Sequence, residues 1–92
     1  MDELDGGESE ALALSPGQRL RGEREAAGLS RADVAARTRI AERHIQAIEE
    51  DRFGDFASST YAVGHSRAYA RAVGLDEQAI ARDVRAALAR SS

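Results

Sequence analysis

The stretch Ser30-Arg31-Ala32-Asp33-Val34-Ala35-Ala36-Arg37-Thr38-Arg39-Ile40-Ala41-Glu42-Arg43-His44-Ile45-Gln46-Ala47-Ile48-Glu49-Glu50 decides the fold. Ser30 followed at the third residue by Asp33 is a helix start of the capping-box type, in which each side chain satisfies a free backbone N–H. A short helix to about Thr38 should follow, with Val34 and Ala35 as its apolar face. Ile40 then leads into a helix over roughly residues 41–50, with Ile45 and Ile48 facing inward. Ala41 is a weak cap for it, because a serine or threonine there would supply an acceptor. Two short helices joined by Arg37-Thr38-Arg39-Ile40-Ala41 have the spacing of a helix-turn-helix.

Upstream, Ser15-Pro16-Gly17-Gln18 combines a serine cap, a proline at the first helical position and a glutamine three residues after the cap. The helix it opens should run to about Ala27, with Gly28 as a left-handed stop. Downstream, residues 51–59 read as a loop pinned by Phe53 and Phe56. Ser58 or Ser59 caps a fourth helix to Val73, where Gly74 ends it, and Asp76 caps a fifth running through Ile80, Val84 and Leu88. The expectation is an all-α, five-helix domain over residues 15–90. Residues 1–14 carry Gly6-Gly7 and scattered acids without periodicity, which predicts a flexible acidic lead.

Composition sets the limits. Ninety-two residues give one compact core and a tail. A single proline and few β-branched residues favour helix over sheet. The absence of cysteine excludes disulfides and thiolate metal sites. No run approaches the ~18 apolar residues of a membrane-spanning helix, and the acidic start is unlike a secretory signal, so a cytoplasmic domain is expected. The net charge is -3, but residues 1–10 hold five acids and no base; without them thirteen arginines face eleven acids. A pI near 5.3 is low for a dedicated nucleic-acid binder.

The fourth helix carries the most functional information. At 100° per residue, Ala62, Ser66, Tyr69 and Val73 form one stripe, and Tyr61, His65, Ala68 and Ala72 form another about 80° away. Arg67 and Arg71 share the remaining side. One core contact does not need two stripes containing aromatics, so the Tyr69 stripe is expected to face inward. Tyr61, His65 and Ala68, with Arg67 and Arg71, then form a candidate partner-binding face, in keeping with the preference of interfaces for aromatic and arginine anchors. The plainer reading makes Tyr61 a core residue and His65 an ordinary surface histidine.

The ordered string Leu20-Arg21, Arg24-Glu25, Gly28-Leu29-Ser30, Val34-Ala35, Ile40, Ile45 and Ile48-Glu49 resembles the lambda-repressor-like (XRE-type) helix-turn-helix domains. A second block, Glu49-Glu50-Asp51-Arg52-Phe53, Tyr61-Ala62-x-Gly64, Arg67-Ala68-Tyr69-Ala70-Arg71 and Gly74-Leu75-Asp76, resembles the cytoplasmic N-terminal domain of the RodZ family of bacterial cell-shape proteins. That resemblance implies binding to MreB, the bacterial actin homologue, through aromatic residues at the positions of Tyr61 and His65. It also implies a transmembrane helix and a periplasmic domain further along the gene, with this domain on the cytoplasmic side of the inner membrane. Two positions depart from the family pattern: Phe56-Ala57-Ser58-Ser59 replaces a Leu-Pro-Gly-like segment, and His65 stands where an aromatic is usual. The lambda-repressor likeness further implies a structural ion pair between Arg24 and Glu49, on the first and third helices.

A second functional class is a sequence-specific DNA-binding regulator. Its recognition helix would present Glu42, Arg43, Gln46 and His44, with Arg31, Arg37, Arg39 and Arg43 making a local basic patch; arginine and glutamine pair bidentately with guanine and adenine. Glu42, Glu49, Glu50 and Asp51 crowd the same element with charge that repels phosphate. Catalysis is not expected. His44 and His65 sit on different predicted helices, and neither a phosphate-binding glycine loop nor a metal-ligand cluster occurs, so no cofactor is implied.

Overall fold

The computed structural model describes residues 14–91, so all of the acidic lead except Leu14 lies outside the described residues. Five helices follow in order: α1 Pro16–Ala26, α2 Arg31–Thr38, α3 Glu42–Glu49, α4 Ser59–Val73 and α5 Glu77–Ser91, with one 3-10 turn, Phe53–Asp55, between α3 and α4. No strand occurs among the described residues.

The helix boundaries follow local chemistry. Ser15 and Gln18 close a capping box on α1 with Pro16 in the first turn, and Ser30 and Asp33 close another on α2. The Asp33 carboxyl is held below its ordinary range chiefly by the hydrogen bond from the Ser30 backbone N–H. Helix α3 starts without a side-chain cap, as alanine at position 41 dictates. Ser58 caps α4 by accepting from the Tyr61 N–H at 3.2 Å, and Asp76 Oδ1 accepts from the Gln78 N–H at 2.9 Å at the start of α5. Gly28 and Gly74 take φ +73° and +82° after α1 and α4. Arg39 and Asp51 also adopt positive φ, 61° and 59°, and end α2 and α3 without glycine. Residues 51–59 are therefore more ordered than a plain loop.

Leu20, Val34, Ile45, Ile48, Tyr69, Ile80 and Val84 are wholly buried and make one core, capped at its edge by Phe53 and Phe56. Burying each such side chain is worth about 1.5–3 kcal/mol relative to exposure. The inward stripe of α4 is broader than the sequence suggested. Ala62, Ser66, Tyr69 and Ala70 are buried and Val73 only half-buried, because α5 covers the flank of α4 while α1, α2 and α3 cover its inner face.

Residue 17 fixes how α1 meets α3. The Gly17 N–H donates to Asp51 Oδ1 at 2.9 Å, and Ser15 Oγ donates to Asp51 Oδ2 at 2.5 Å. A Cβ at position 17 would sit 2.3 Å from the Ile48 carbonyl oxygen and 2.6 Å from that of Glu49. Backbone cannot yield as a flexible side chain can. Gly17→Ala is expected to destabilise the domain by roughly 1–3 kcal/mol, the usual cost of overpacking. Thermal denaturation checks it; an unchanged midpoint would mean that α1 can tilt without loss.

Candidate functional site

A single carboxylate joins the four helices that carry the candidate surfaces. Glu49, at the end of α3, accepts from Arg24 Nε of α1 at 2.6 Å and Arg24 Nη2 at 3.2 Å. It also accepts from Arg31 Nε of α2 at 3.2 Å and from the Tyr69 hydroxyl of α4 at 2.5 Å. Four donors match the roughly four lone-pair positions of a carboxylate. Arg24 Nη1 completes its own bonding on the Leu29 carbonyl at 2.9 Å. Burial pushes the Glu49 carboxyl up, but Arg24, Tyr69 and Arg31 outweigh it and leave the group below its ordinary value. Burial and the neighbouring Glu49 drive the Tyr69 hydroxyl upward, and the bond to Glu49 raises Arg24 further. Arg31 corrects the sequence reading. Its guanidinium is turned onto Glu49, so it is not a free member of a basic patch.

The second constellation is aromatic and lies where α3, α4 and the residue after the 3-10 turn converge. The cap at Ser58 starts α4 so that Tyr61 stands in its first turn, and Tyr61 is 57% exposed. His65, one helical turn on, meets the Tyr61 ring edge-to-face at 5.5 Å between centroids. His65 also meets Phe56 at 5.7 Å and His44 of α3 at 6.0 Å, while His44 and Phe56 lie 4.8 Å apart. Burial, then the proximity of His44, holds the His65 imidazole below its ordinary value. The result is a ring cluster with a rooted base and one protruding tip, the Tyr61 phenol. Sequence reasoning missed Phe56 and His44 as members. Nothing in the spacing couples residues 44 and 65, since pairing across two helices is set by how they cross.

The remaining candidates divide between other surfaces. Arg67 and Arg71 both reach Glu77 of α5, at 2.9 and 2.7 Å, and face away from the ring cluster. Slight burial raises the Glu77 carboxyl, and the two guanidiniums more than offset it, holding the group below its usual range. Ala68 is half-buried in a shallow groove shared with Arg37, Thr38, Arg71 and Ala72. Arg67 and Arg71 thus turn toward the Glu77 carboxylate of α5, while Arg71 still borders the groove that holds Ala68.

On the helix-turn-helix face, Glu42 and Arg43 are exposed at the start of α3. Gln46 Nε2 donates to Glu50 Oε2 at 3.0 Å, so its amide is engaged on its own helix. Arg37, Arg39 and Arg43 are exposed and enter no ion pair among the described residues. They surround the turn between α2 and α3. Among the described residues no three His, Cys, Asp or Glu side chains gather as a metal would require, and no helix is long and apolar enough to cross a membrane.

Comparison with known proteins agrees with this architecture. A solved structure of YmfM, a proposed DNA-binding membrane protein from Staphylococcus aureus, superposes with a TM-score of 0.75 at 24% sequence identity, covering 80% of this chain and 90% of that one. At that identity the likeness carries the fold. Residues 19–80, more than half of the 92-residue chain, match the family described as helix-turn-helix domain. The pair α2–α3 with its left-handed Arg39 turn, packed by α1 and α4, is that motif in place, and the chain belongs to this helix-turn-helix family.

Proposed function

We propose that this helix-turn-helix domain is a non-catalytic adaptor that binds a protein filament of the MreB class through the aromatic tip of α4. The observation that carries the reading is the exposure of Tyr61 on a ring cluster whose other members, His65, His44 and Phe56, are anchored. An aromatic on a rigid base loses little conformational freedom when a partner covers it, which is the character of an interface anchor. The RodZ-like sequence block supports the same place, because its MreB contact falls at the positions of Tyr61 and His65. Glu42 and the Gln46–Glu50 pair lower the affinity of α3 for phosphate, which also favours a protein partner. The membrane character in the description of YmfM accords with a domain held at the cytoplasmic face of the inner membrane by a segment elsewhere in the protein. Titration of purified MreB into the fluorescently labelled domain tests the reading. Saturable binding is expected, and none up to high micromolar concentrations would overturn it.

A second reading rests on Arg39 and Arg43, exposed around the turn and outside every ion pair among the described residues, with Arg37 beside them acting on Asp33, and on the DNA-binding description of YmfM. If DNA is a partner, Arg43→Ala should weaken duplex binding by about 1–3 kcal/mol when it removes a base contact. A fluorescence-anisotropy titration against salt measures this. Absence of binding even at low salt would end the DNA reading and leave the protein contact alone.

A further inference from the structure

Helices α4 and α5 leave an open groove between them that the aromatic cluster does not reach. Val63 and Leu88 form its half-buried apolar floor, and Thr60, Gly64, Arg67 and Arg85 line its sides. Among the described residues no contact requires glycine at position 64. It lies inside α4 without positive φ, and a Cβ built on it meets nothing within 4 Å. Glycine in a helix interior is disfavoured against alanine, so its presence fits a backbone or side chain approaching closely from outside.

The charged side chains that line the groove are both arginines. Arg85 is exposed and enters no ion pair among the described residues. Arg67 at the opposite wall pairs with Glu77, a carboxylate that Arg71 also holds from outside the groove. Beside them lies the N-terminus of the 15-residue α4, whose exposed end carries partial positive charge. No acidic side chain among the described residues lines the groove. Among the described residues there is no sheet edge on which an extended peptide could add a strand, whereas two packed helices accept a third by ridges and grooves.

We infer that the α4–α5 groove docks an acidic amphipathic helix of a protein partner, with apolar side chains on Val63 and Leu88, close approach over Gly64, and carboxylates on Arg85 and Arg67. The inference rests on the protein-docking reading of α4 and names the chemistry of a second contact beside Tyr61.

The test uses the isotope-labelled 92-residue chain and two synthetic helical peptides with one apolar stripe. One carries glutamates on its polar face, the other lysines. The glutamate peptide is expected to shift the amide resonances of Val63, Gly64, Arg85 and Leu88 saturably, and the lysine peptide is not. Gly64→Leu fills the groove where the chain leaves space for it, and Arg85→Glu reverses the free charge; each should raise the dissociation constant about tenfold. Tyr61→Ala should leave peptide affinity unchanged. Equal binding of both peptides, insensitivity to both groove substitutions, or shifts confined to Tyr61 and His65 would overturn the inference. Self-association abolished by Gly64→Leu would overturn it too, by assigning the groove to a second copy of the chain. Glutamate-peptide binding without any MreB binding would keep the groove and remove the filament as its source. MreB binding that ignores both groove substitutions would keep the adaptor and remove the groove.

Discussion

Glu49→Ala is expected to destabilise the domain by about 3–5 kcal/mol, because it strands buried charge and a buried hydroxyl together. Arg24 loses two bonds, and Arg31 its carboxylate and Tyr69 its acceptor among the described residues, in a site where the Glu49 side chain is 3% exposed. A domain of this size has about 5–15 kcal/mol to lose, and each kcal/mol moves the melting midpoint by roughly 4–8 °C. Urea or thermal denaturation followed by circular dichroism measures the loss. Tyr69→Phe removes one donor and keeps the ring, so its cost should be smaller, about 1–3 kcal/mol. Replacing both partners, Arg24→Met with Glu49→Leu, should cost less than Glu49→Ala alone: Arg31 and Tyr69 still lose their acceptor, but the buried Arg24 charge is no longer stranded. If Glu49→Ala unfolds at the wild-type midpoint, the network contributes nothing and the helices are held by apolar packing alone.

The same carboxylate gives stability a pH dependence with a definite sign. Its folded pKa lies below the ordinary value of 4.5, so the unfolded chain binds the proton more readily. The stabilisation is fully present above about pH 4.5 and is lost as the pH falls through the folded value. Glu49→Gln should flatten that part of the stability profile, and an unchanged acid limb would assign it to other carboxylates.

Much of the fold was legible because it is written in local chemistry. The capping pairs Ser15–Gln18 and Ser30–Asp33, the stops Gly28 and Gly74, and the period of Ile45 and Ile48 all act within one or two helical turns. The positive-φ turns at Arg39 and Asp51 were not legible, since neither residue is a glycine and tertiary contacts select the conformation. The Arg24–Glu49 pair followed from a family likeness, but the entry of Arg31 and Tyr69 into it did not. An exposed-looking arginine at the start of α2 turns inward only because α3 ends beside it. The candidate site was legible to the same degree. Helical period placed Tyr61 and His65 together, while the crossing of α3 and α4 brought in His44 and Phe56, and Glu77 of α5 took Arg67 and Arg71 away.

If the domain is the proposed adaptor, Tyr61→Ala is expected to weaken MreB binding about thirty-fold, the effect of losing an interface anchor worth about 2 kcal/mol. The substitution should leave the domain intact. Tyr61 is 57% exposed, and its contribution to the start of α4 is a backbone N–H that Ser58 Oγ still accepts. Exposed positions of this kind usually change stability by no more than about 0.5 kcal/mol. The helical circular-dichroism signal and the melting midpoint therefore serve as controls beside the titration. Tyr61→Phe separates the ring from its hydroxyl, and affinity close to wild type would assign the contact to apolar area. His65→Ala should have a smaller effect, because His65 supports the Tyr61 ring at 5.5 Å and is itself partly covered. Arg43→Ala, on the helix-turn-helix face, should leave MreB affinity unchanged while weakening any duplex binding. If Tyr61→Ala binds as the wild type does and Arg43→Ala does not, the filament contact lies on α3, and the face that other members of this fold turn toward DNA has been taken over for protein.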